Sequence, residues 1–354
     1  MNSCISQQSR KHWLVLKLVR LGGDMSKFGR QFPVGELAEW DEKNPGNAVR
    51  MLFDRWCMPG ETATLQKGLR LGVRKGYLNF YVKGQSVALL SWGRTGPSIS
   101  VHNAYVGKIR RGDPGGPTSG STSYDSHALA NTIPASLIDS WTETAETYSS
   151  AEKRFVDDLI AANPGVIDLE MALPANAVPG EERVAPRMDL VVVQIREDSP
   201  LSIGFWEAKC ANNPELRANG EPRVLRQIGK YRDWLATGDR QAEVQIAYQN
   251  TANILIELHN VFRGNGSGQK CISYWQELGK NEAPMVARQA GIVIGNYWPM
   301  ARNDLGDKCD MARYGQTFAT NGHRGKLERA SIVLHEVGPQ HSAHELPPLP
   351  AKTT

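Results

Sequence analysis

The stretch "PRMDLVVVQIREDSPLSIGFWEAKC", residues 186–210, decides the fold. It holds two nearly continuous apolar runs, separated by the polar turn "REDSP". Such runs are typical of neighbouring central strands that are covered on both faces of a sheet. Asp189 lies near the start of the first run, and Glu207 and Lys209 lie near the end of the second. A hairpin brings these ends together, and the period of a strand puts Glu207 and Lys209 on one face.

Charged side chains in a buried sheet need a compensating partner, because burial of an unpaired charge is costly. When Asp189 and Glu207 lie side by side, each negative charge raises the free-energy cost of burying the other. One interpretation is a structural cluster in which Lys209 supplies the positive charge. We favour a divalent cation, because Mg²⁺ takes oxygen ligands from one or two carboxylates and from substrate phosphate. Lys209 would then orient or deprotonate a metal-bound water.

A helix is predicted before these strands, in "SSAEKRFVDDLIAANPG" at residues 149–165. Ser149 and Glu152 have the spacing of a capping box, and the Asn-Pro-Gly sequence ends the helix. Glu152 is therefore either a helix cap or an acidic group of the site, and the two roles can coexist.

A second helix is predicted after the strands, in "EPRVLRQIGKYRDWLATG" at residues 221–238. Gln227 and Tyr231 are one helical turn apart, at the edge of its apolar face. Arg226 and Lys230 belong to a basic side. That side is either an ordinary solvated surface or a surface that follows a phosphate backbone.

The order of these motifs resembles the PD-(D/E)XK nuclease superfamily, in the branch that carries a QxxxY motif. The resemblance covers about residues 148–250, under a third of the chain. One departure is that Met188, not proline, precedes Asp189, and Pro186 lies three positions before the Asp; this proline is often absent in the superfamily. The resemblance implies an α/β domain with a restriction endonuclease-like mixed central sheet flanked by helices.

The resemblance also implies roles for individual residues. Asp189 and Glu207 would bind Mg²⁺, for which Mn²⁺ can substitute, and Lys209 would position or activate the attacking water. Glu152 would add an acidic group. Gln227 and Tyr231 would contact or position the nucleic acid and support the site, beside the basic residues Arg226 and Lys230.

The chain before this domain has a different pattern. Residues 1–109 are predicted to form a smaller, β-rich α+β domain for recognition or regulation, which includes an apolar run at 13–21. A helical segment is broken near Pro45, and alternating apolar residues after position 68 indicate an antiparallel meander with turns at Gly76 and Gly84. Its basic residues, including Arg70 and Arg74, are expected on exposed faces or turns.

The remaining segments complete the predicted organisation. Residues 110–136 are rich in Gly, Ser and Pro, which predicts a flexible linker between independently moving units. The nuclease-like domain is predicted to span residues 137–340. Within it, "AEVQIAYQN" is interpreted as a strand, "TANILIELHNVF" as a helix, and "AGIVIGNYW" and "ASIVLHEVG" as late strands. Residues 341–354 are predicted to be a disordered tail.

Composition limits the class of protein. The chain has 354 residues and a formal net charge of +4, which permits a polyanionic partner without requiring one. Its five cysteines are scattered and form no CxxC pair, which argues against a disulfide framework or a cysteine zinc site and favours the cytoplasm. Apolar stretches are shorter than the ~18 residues of a membrane helix, so no membrane partner is expected.

The leading hypothesis is a Mg²⁺-dependent DNA endonuclease that acts on double-stranded DNA in restriction, phage defence or repair. A homodimer and a separate ATPase or defence-system partner are compatible with this hypothesis. One alternative is a non-cleaving nucleic-acid-binding or regulatory protein that retains the nuclease fold. Another is an interaction protein whose basic surfaces bind other proteins.

Overall fold

Two β-sheets and the helices around them organise the chain. The computed structural model describes residues 28–64, 66–106, 124–127, 135–174, 187–197, 199–210, 213–216, 221–264, 268–295, 323–337 and 344–350. The predicted apolar run at 13–21 lies outside these residues, as does most of the predicted linker.

Two short helices open the described part, α1 (Val34–Lys43) and α2 (Ala48–Asp54). The predicted break between them is confirmed, and Gly46 takes a positive φ of 72° there. Asn47 caps α2, because its side chain accepts a 2.8 Å hydrogen bond from the Arg50 backbone N–H. The cap satisfies a backbone donor that the start of a helix leaves unpaired.

The first sheet is an antiparallel meander of five described strands in the order β1-β2-β3-β4-β5. The strands are β1 (Leu69–Val73), β2 (Tyr77–Val82), β3 (Gln85–Gly93), β4 (Gly96–His102) and β5 (Tyr124–His127). The predicted turns are confirmed, with positive φ at Gly76, Lys83 and Gly84. Strand β5 pairs with β4 and belongs to the segment predicted to be linker, so that prediction is wrong for residues 124–127.

The second sheet is mixed, with the described order β11-β10-β8-β7-β6 and a short strand β9 beside β8. Strands β6 to β8 are antiparallel, whereas β9 and β10 run parallel to β8 and β11 runs parallel to β10. The strands are β6 (Val166–Ala172), β7 (Arg187–Arg196), β8 (Ser199–Cys210), β9 (Met285–Val286), β10 (Gly291–Gly295) and β11 (Val333–Val337). The predicted hairpin and the predicted late strands at 291–295 and 333–337 are confirmed.

Six further helices lie in the described part of the chain, and the first of them packs against the first sheet. They are α3 (Ala135–Thr147), α4 (Ala151–Ala162), α5 (Arg223–Leu235), α6 (Arg240–Phe262), α7 (Gln269–Lys280) and α8 (His323–Arg329). The chain is thus a mixed α/β protein, as predicted. The strand predicted in "AEVQIAYQN" is wrong, because α6 continues through it and buries Val244, Ala247, Tyr248 and Thr251 at helical spacing.

Membrane-spanning helices are absent from the described part of the chain, where every helix is too short or too polar to cross a bilayer.

Alternate residues of the hairpin face two different cores. Leu190 and Trp206 belong to the core under α4, whereas Val191 and Phe205 belong to a larger core on the opposite face. This division confirms that β7 and β8 are covered on both sides. Odd-numbered residues of β8 therefore face the side on which α5 and α6 pack.

The larger core runs without interruption from the first sheet to the second. Phe53 stacks on Phe262 with ring centroids 3.9 Å apart, and Trp56 stacks on Trp275 at 6.2 Å. Both aromatic pairs join residues before position 110 to residues after position 137. The residue boundaries of two domains stay a prediction, but these contacts argue against units that move independently.

Buried ion pairs reinforce this junction, and they correct the expectation that Arg70 and Arg74 lie on exposed faces. Arg70 Nε lies 2.9 Å from Asp157 Oδ1, and Arg74 Nη1 lies 2.5 Å from Asp168 Oδ1. Both arginines are buried, at 2% and 8% exposure. The prediction failed because sequence alone does not reveal acidic partners about 90 residues away.

The C-terminal segment is also better packed than predicted. Residues 344–350 lie against the second sheet, and Leu349 is 1% exposed. The Leu349 backbone N–H donates to Gln194 Oε1 at 3.0 Å, and Leu346 N–H donates to Asn163 Oδ1 at 2.8 Å. The predicted disorder is therefore wrong for these residues, because two buried amide side chains provide acceptors for the backbone of a Pro-rich segment.

Candidate active site

The hairpin β7–β8 places the two predicted metal-binding carboxylates opposite each other. Leu190 pairs with Trp206 in the antiparallel register, so Asp189 and Glu207 occupy the next facing positions. Asp189 Oδ2 accepts a 2.7 Å hydrogen bond from the Ala208 backbone N–H. Glu207 is 1% exposed, whereas Asp189 is only partly buried. The predicted juxtaposition of these carboxylates is confirmed.

Lys209 lies at the centre of the site. Its Nζ is 2.6 Å from Glu207 Oε1, 3.3 Å from Glu215 Oε2 and 3.4 Å from Glu152 Oε1. The lysine side chain is 7% exposed. Three carboxylates from β8, the following turn and α4 thus surround one buried ammonium.

Glu152 joins this cluster from the first turn of α4. The helix cap is Ser150, whose side chain accepts from Lys153 N–H at 3.2 Å, so the predicted cap at Ser149 is wrong. The Glu152 carboxylate therefore does not cap the helix. Its Oε2 accepts hydrogen bonds from Asn213 Nδ2 at 2.7 Å and from the Cys210 backbone N–H at 3.4 Å.

Burial and mutual repulsion raise the pKa values of the paired carboxyl groups. Desolvation is the main cause of the raised pKa of Asp189, and the charges of Glu207 and Glu170 add to it. Desolvation also raises the pKa of Glu207 to about 7, against the opposing attraction of Lys209. The protein without metal therefore favours a proton on this pair, which a bound cation would replace.

Lys209 stays protonated in this arrangement. Attraction to Glu207, Asp189 and Glu152 outweighs desolvation and raises the pKa of Lys209 above its ordinary value. Of the two roles considered from the sequence, orienting a water is compatible with a stable ammonium.

The QxxxY residues take two different positions. Gln227 approaches Glu207 and lowers its pKa, while its amide nitrogen donates a 3.0 Å hydrogen bond to the Arg187 carbonyl. Tyr231 is fully buried, its ring lies 4.7 Å from that of Phe205, and its hydroxyl donates to the Ala287 carbonyl at 3.0 Å. Tyr231 thus supports the sheet beneath the site, and its burial leaves no surface for contact with nucleic acid.

Arg226 and Lys230 are exposed on α5. They lie one turn apart on the same side of the helix, and Arg187 is exposed at the start of β7 beside Gln227. The structure therefore places the predicted basic residues on the solvent-facing side of the helix whose Gln227 approaches Glu207.

The sequence prediction missed three residues of this site. Glu170 opposes Asp189 across the β6–β7 register and takes a positive φ of 49°. Asn213 binds Glu152, and Glu215 contacts Lys209. Asn213 and Glu215 follow β8 closely, so a search for polar residues just beyond the E-x-K motif would have found them. Glu170 depends on strand register, which the sequence did not reveal.

The donor set suits a hard cation that keeps several of its waters. Glu207 Oε2 is buried and accepts no hydrogen bond of ordinary geometry among the described residues. Such an oxygen is a suitable metal ligand, and Mg²⁺ commonly uses one or two carboxylates. Within the described ranges, no three His, Cys, Asp or Glu side chains converge to hold a metal by themselves. Asp189 and Glu207 thus fit a cation that is completed by water and substrate.

The comparisons leave the family open. No protein-family model, curated protein or solved structure matches this chain.

The raised pKa of Asp189 predicts that Asp189→Asn stabilises the metal-free protein at pH 8. A carboxyl group whose pKa is raised on folding makes its full contribution to stability below its unfolded pKa. The protein loses that contribution as the pH rises towards and through the raised pKa of the folded state. Asparagine can keep the hydrogen bond from Ala208 without the charge. We expect a higher melting temperature at pH 8 in EDTA, by about 1–2 °C for each kcal/mol gained. The difference should vanish near pH 4, where the wild-type carboxyl group is also neutral.

Thermal unfolding at the two pH values, followed by circular dichroism, checks this expectation. Asp233→Asn is the matched control, because Asp233 has a 77% exposed side chain in a weak pair with Arg232. An Asp189→Asn protein that is no more stable than wild type at pH 8 contradicts the prediction.

Proposed function

We propose that this chain is a metal-dependent phosphodiesterase that hydrolyses DNA. The observation that carries the proposal is the pairing of Asp189 and Glu207 beside the buried ammonium of Lys209. Two such carboxylates cost stability in the absence of a cation, and stability is often lost where a function requires it. Restriction, phage defence and repair remain predictions for its biological setting.

The residues of the site would have different roles in phosphodiester hydrolysis. Asp189 and Glu207 would hold the cation, which when bound lowers the pKa of its water and polarises the phosphate. Lys209 donates a hydrogen bond to the attacking water or to a phosphate oxygen. Glu152 fixes the direction of the lysine and is itself fixed by Asn213.

The basic side of α5 supplies a path for the DNA backbone. Arg223, Arg226 and Lys230 share one side of the helix, at about 100° of rotation per residue. Their exposure makes them available to phosphate groups next to the site. Such contacts bind DNA without reading its sequence, so they position a substrate without selecting a target.

Incubation with supercoiled plasmid, linear duplex and single strands tests the proposed activity, with Mg²⁺, Mn²⁺ or EDTA. Nicked or linear plasmid indicates an endonuclease, whereas loss of linear DNA alone indicates an exonuclease. Binding without cleavage under every metal condition would favour a non-cleaving protein. Absence of both contradicts the proposal.

Charge reversal on α5 should change how binding depends on salt. Each phosphate contact that is lost reduces the slope of log affinity against log salt by about 0.9 for duplex DNA. We expect Arg226→Glu and Lys230→Glu each to reduce that slope by about one and to weaken binding of all sequences alike. Fluorescence anisotropy with a labelled duplex from 50 to about 200 mM salt measures the slope.

Arg232→Glu is the matched control on the same helix. Arg232 is 59% exposed but lies about 120° away from Arg226 around the helix. Its reversal changes the net charge equally, so a slope that falls as much for Arg232→Glu as for Arg226→Glu rules out a specific basic path.

A further inference from the structure

The ammonium of Lys209 is in contact with three carboxylates in the protein without substrate. It carries three N–H donors, and it donates hydrogen bonds to Glu207 at 2.6 Å and to Glu152 at 3.4 Å. The Glu215 carboxylate is also in contact, with its Oε2 3.3 Å from Nζ. A phosphate oxygen or a water that binds Lys209 must therefore compete with one of three carboxylates.

The three carboxylates are not equally easy to displace. Glu207 has a 1% exposed side chain and the shortest contact. Glu152 is 29% exposed, but its second oxygen is held by Asn213 and Cys210. Glu215 is 40% exposed, and among the described residues its carboxylate has the single ion pair with Lys209. The Glu215 contact is thus the one that can be exchanged at least cost.

The short 3-10 helix Pro214–Leu216 follows β8 and contains Glu215, whose backbone is held by hydrogen bonds and whose side chain is 40% exposed. Asn213 Oδ1 accepts a 2.8 Å hydrogen bond from the Glu215 backbone N–H, and Asn213 N–H donates to the Cys210 carbonyl at 2.8 Å. Leu216, the last residue of this helix, is fully buried. Asn213 therefore holds both Glu152 and Glu215 near the lysine, through opposite ends of one amide.

We propose that Glu215 is a positioning residue that occupies the outward side of Lys209 until a phosphodiester oxygen of the substrate replaces it. The proposal rests on the phosphodiesterase function proposed above. Glu215 would keep the lysine oriented in the free enzyme and make the site selective against weakly bound anions. Because its contact is lost before the chemical step, its influence falls on substrate affinity and not on turnover.

Glu215→Gln removes the competing charge and keeps the size of the side chain. We expect this variant to bind substrate about three- to fivefold more tightly, the effect of one exposed ion pair. The KM should fall by the same factor, with kcat within about twofold of wild type. Steady-state kinetics with Mg²⁺ gives both constants, and anisotropy with the same duplex in Ca²⁺ gives the dissociation constant without turnover.

Two further proteins separate this effect from general electrostatics. Glu277→Gln, on the exposed side of α7, changes the net charge equally and should leave KM and the dissociation constant unchanged. Lys209→Met removes the group through which Glu215 is proposed to act. In that background, Glu215→Gln should improve binding by less than twofold.

Each outcome bears on one proposal. If Glu215→Gln gives the full gain in affinity in the Lys209→Met background as well, the gain comes from reduced repulsion between Glu215 and DNA. That result overturns the proposed role of Glu215. So does a Glu215→Gln enzyme with unchanged KM, or with reduced kcat, when the wild type cleaves normally. A wild-type protein that neither binds nor cleaves DNA overturns the proposed function itself.

Discussion

Asp189→Asn and Lys209→Met should each reduce Mg²⁺-dependent DNA cleavage by about a thousandfold while the chain stays folded. Asp189 faces Glu207 at the position expected for a cation. The neutral amide of Asp189→Asn therefore removes most of the electrostatic attraction that this residue offers to the metal. Lys209 supplies the buried ammonium that donates to the water or to the phosphate. Loss of one such preorganised donor costs about 10²–10³ in kcat.

The measurement is the rate of plasmid nicking across a range of Mg²⁺ concentrations, with circular dichroism to verify folding. Asp233→Asn and Lys280→Met serve as controls, because both remove a charge from an exposed position outside the site. Rates near wild type for Lys209→Met would reject this lysine as part of the catalytic machinery. Recovery of Asp189→Asn at high Mg²⁺ would show that Asp189 contributes only to metal affinity.

Asp168→Ala should destabilise the whole chain by about 3–5 kcal/mol. Asp168 Oδ1 lies 2.5 Å from Arg74 Nη1, and Oδ2 lies 3.1 Å from Arg30 Nη2. The Tyr248 hydroxyl also donates to Oδ2 at 3.2 Å. Removal of this carboxylate leaves two guanidinium groups buried without their counter-ion, which is the costly way to break a buried ion pair.

Urea unfolding measures this loss, and Asp233→Ala is its control. The Arg232–Asp233 pair spans 3.8 Å between exposed side chains, so its removal should cost less than about 1 kcal/mol. Equal effects of the two substitutions would contradict a special role for Asp168. A single transition that shifts as a whole supports a common core for the two sheets, whereas a separate early transition supports two domains.

Local sequence patterns were sufficient to predict much of the second sheet. The two apolar runs at 186–210 are long, and the first is rich in β-branched residues, so their strand character does not depend on distant partners. The polar turn between them makes a hairpin the simplest connection. Charged residues at the adjoining ends then predict the Asp189–Glu207 pair, since facing positions in a hairpin follow from chain geometry.

Structural features that depend on partners far away in the sequence were not predicted correctly. In α6, the segment "AEVQIAYQN" has alternating apolar residues that suit a strand, but the core buries a helical face of it instead. Arg70 and Arg74 have the appearance of surface residues because their acidic partners lie on other elements. The segment 344–350 is ordered by Asn163 and Gln194, which a Pro-rich composition does not reveal.

The sequence by itself determined the β7–β8 hairpin, the acidic pair and the lysine beside it, because short-range periodicity governs all three. Only the tertiary structure decided that Glu152 reaches that lysine and which further acidic groups complete the site. Glu152 lies on α4 and Glu215 lies just after β8, and both contact Lys209. Glu170 lies on β6, whose register places it opposite Asp189. The physical reason is that the ionisation of a buried group depends on every charge and dipole within a few ångströms, and folding brings those neighbours from separate parts of the chain.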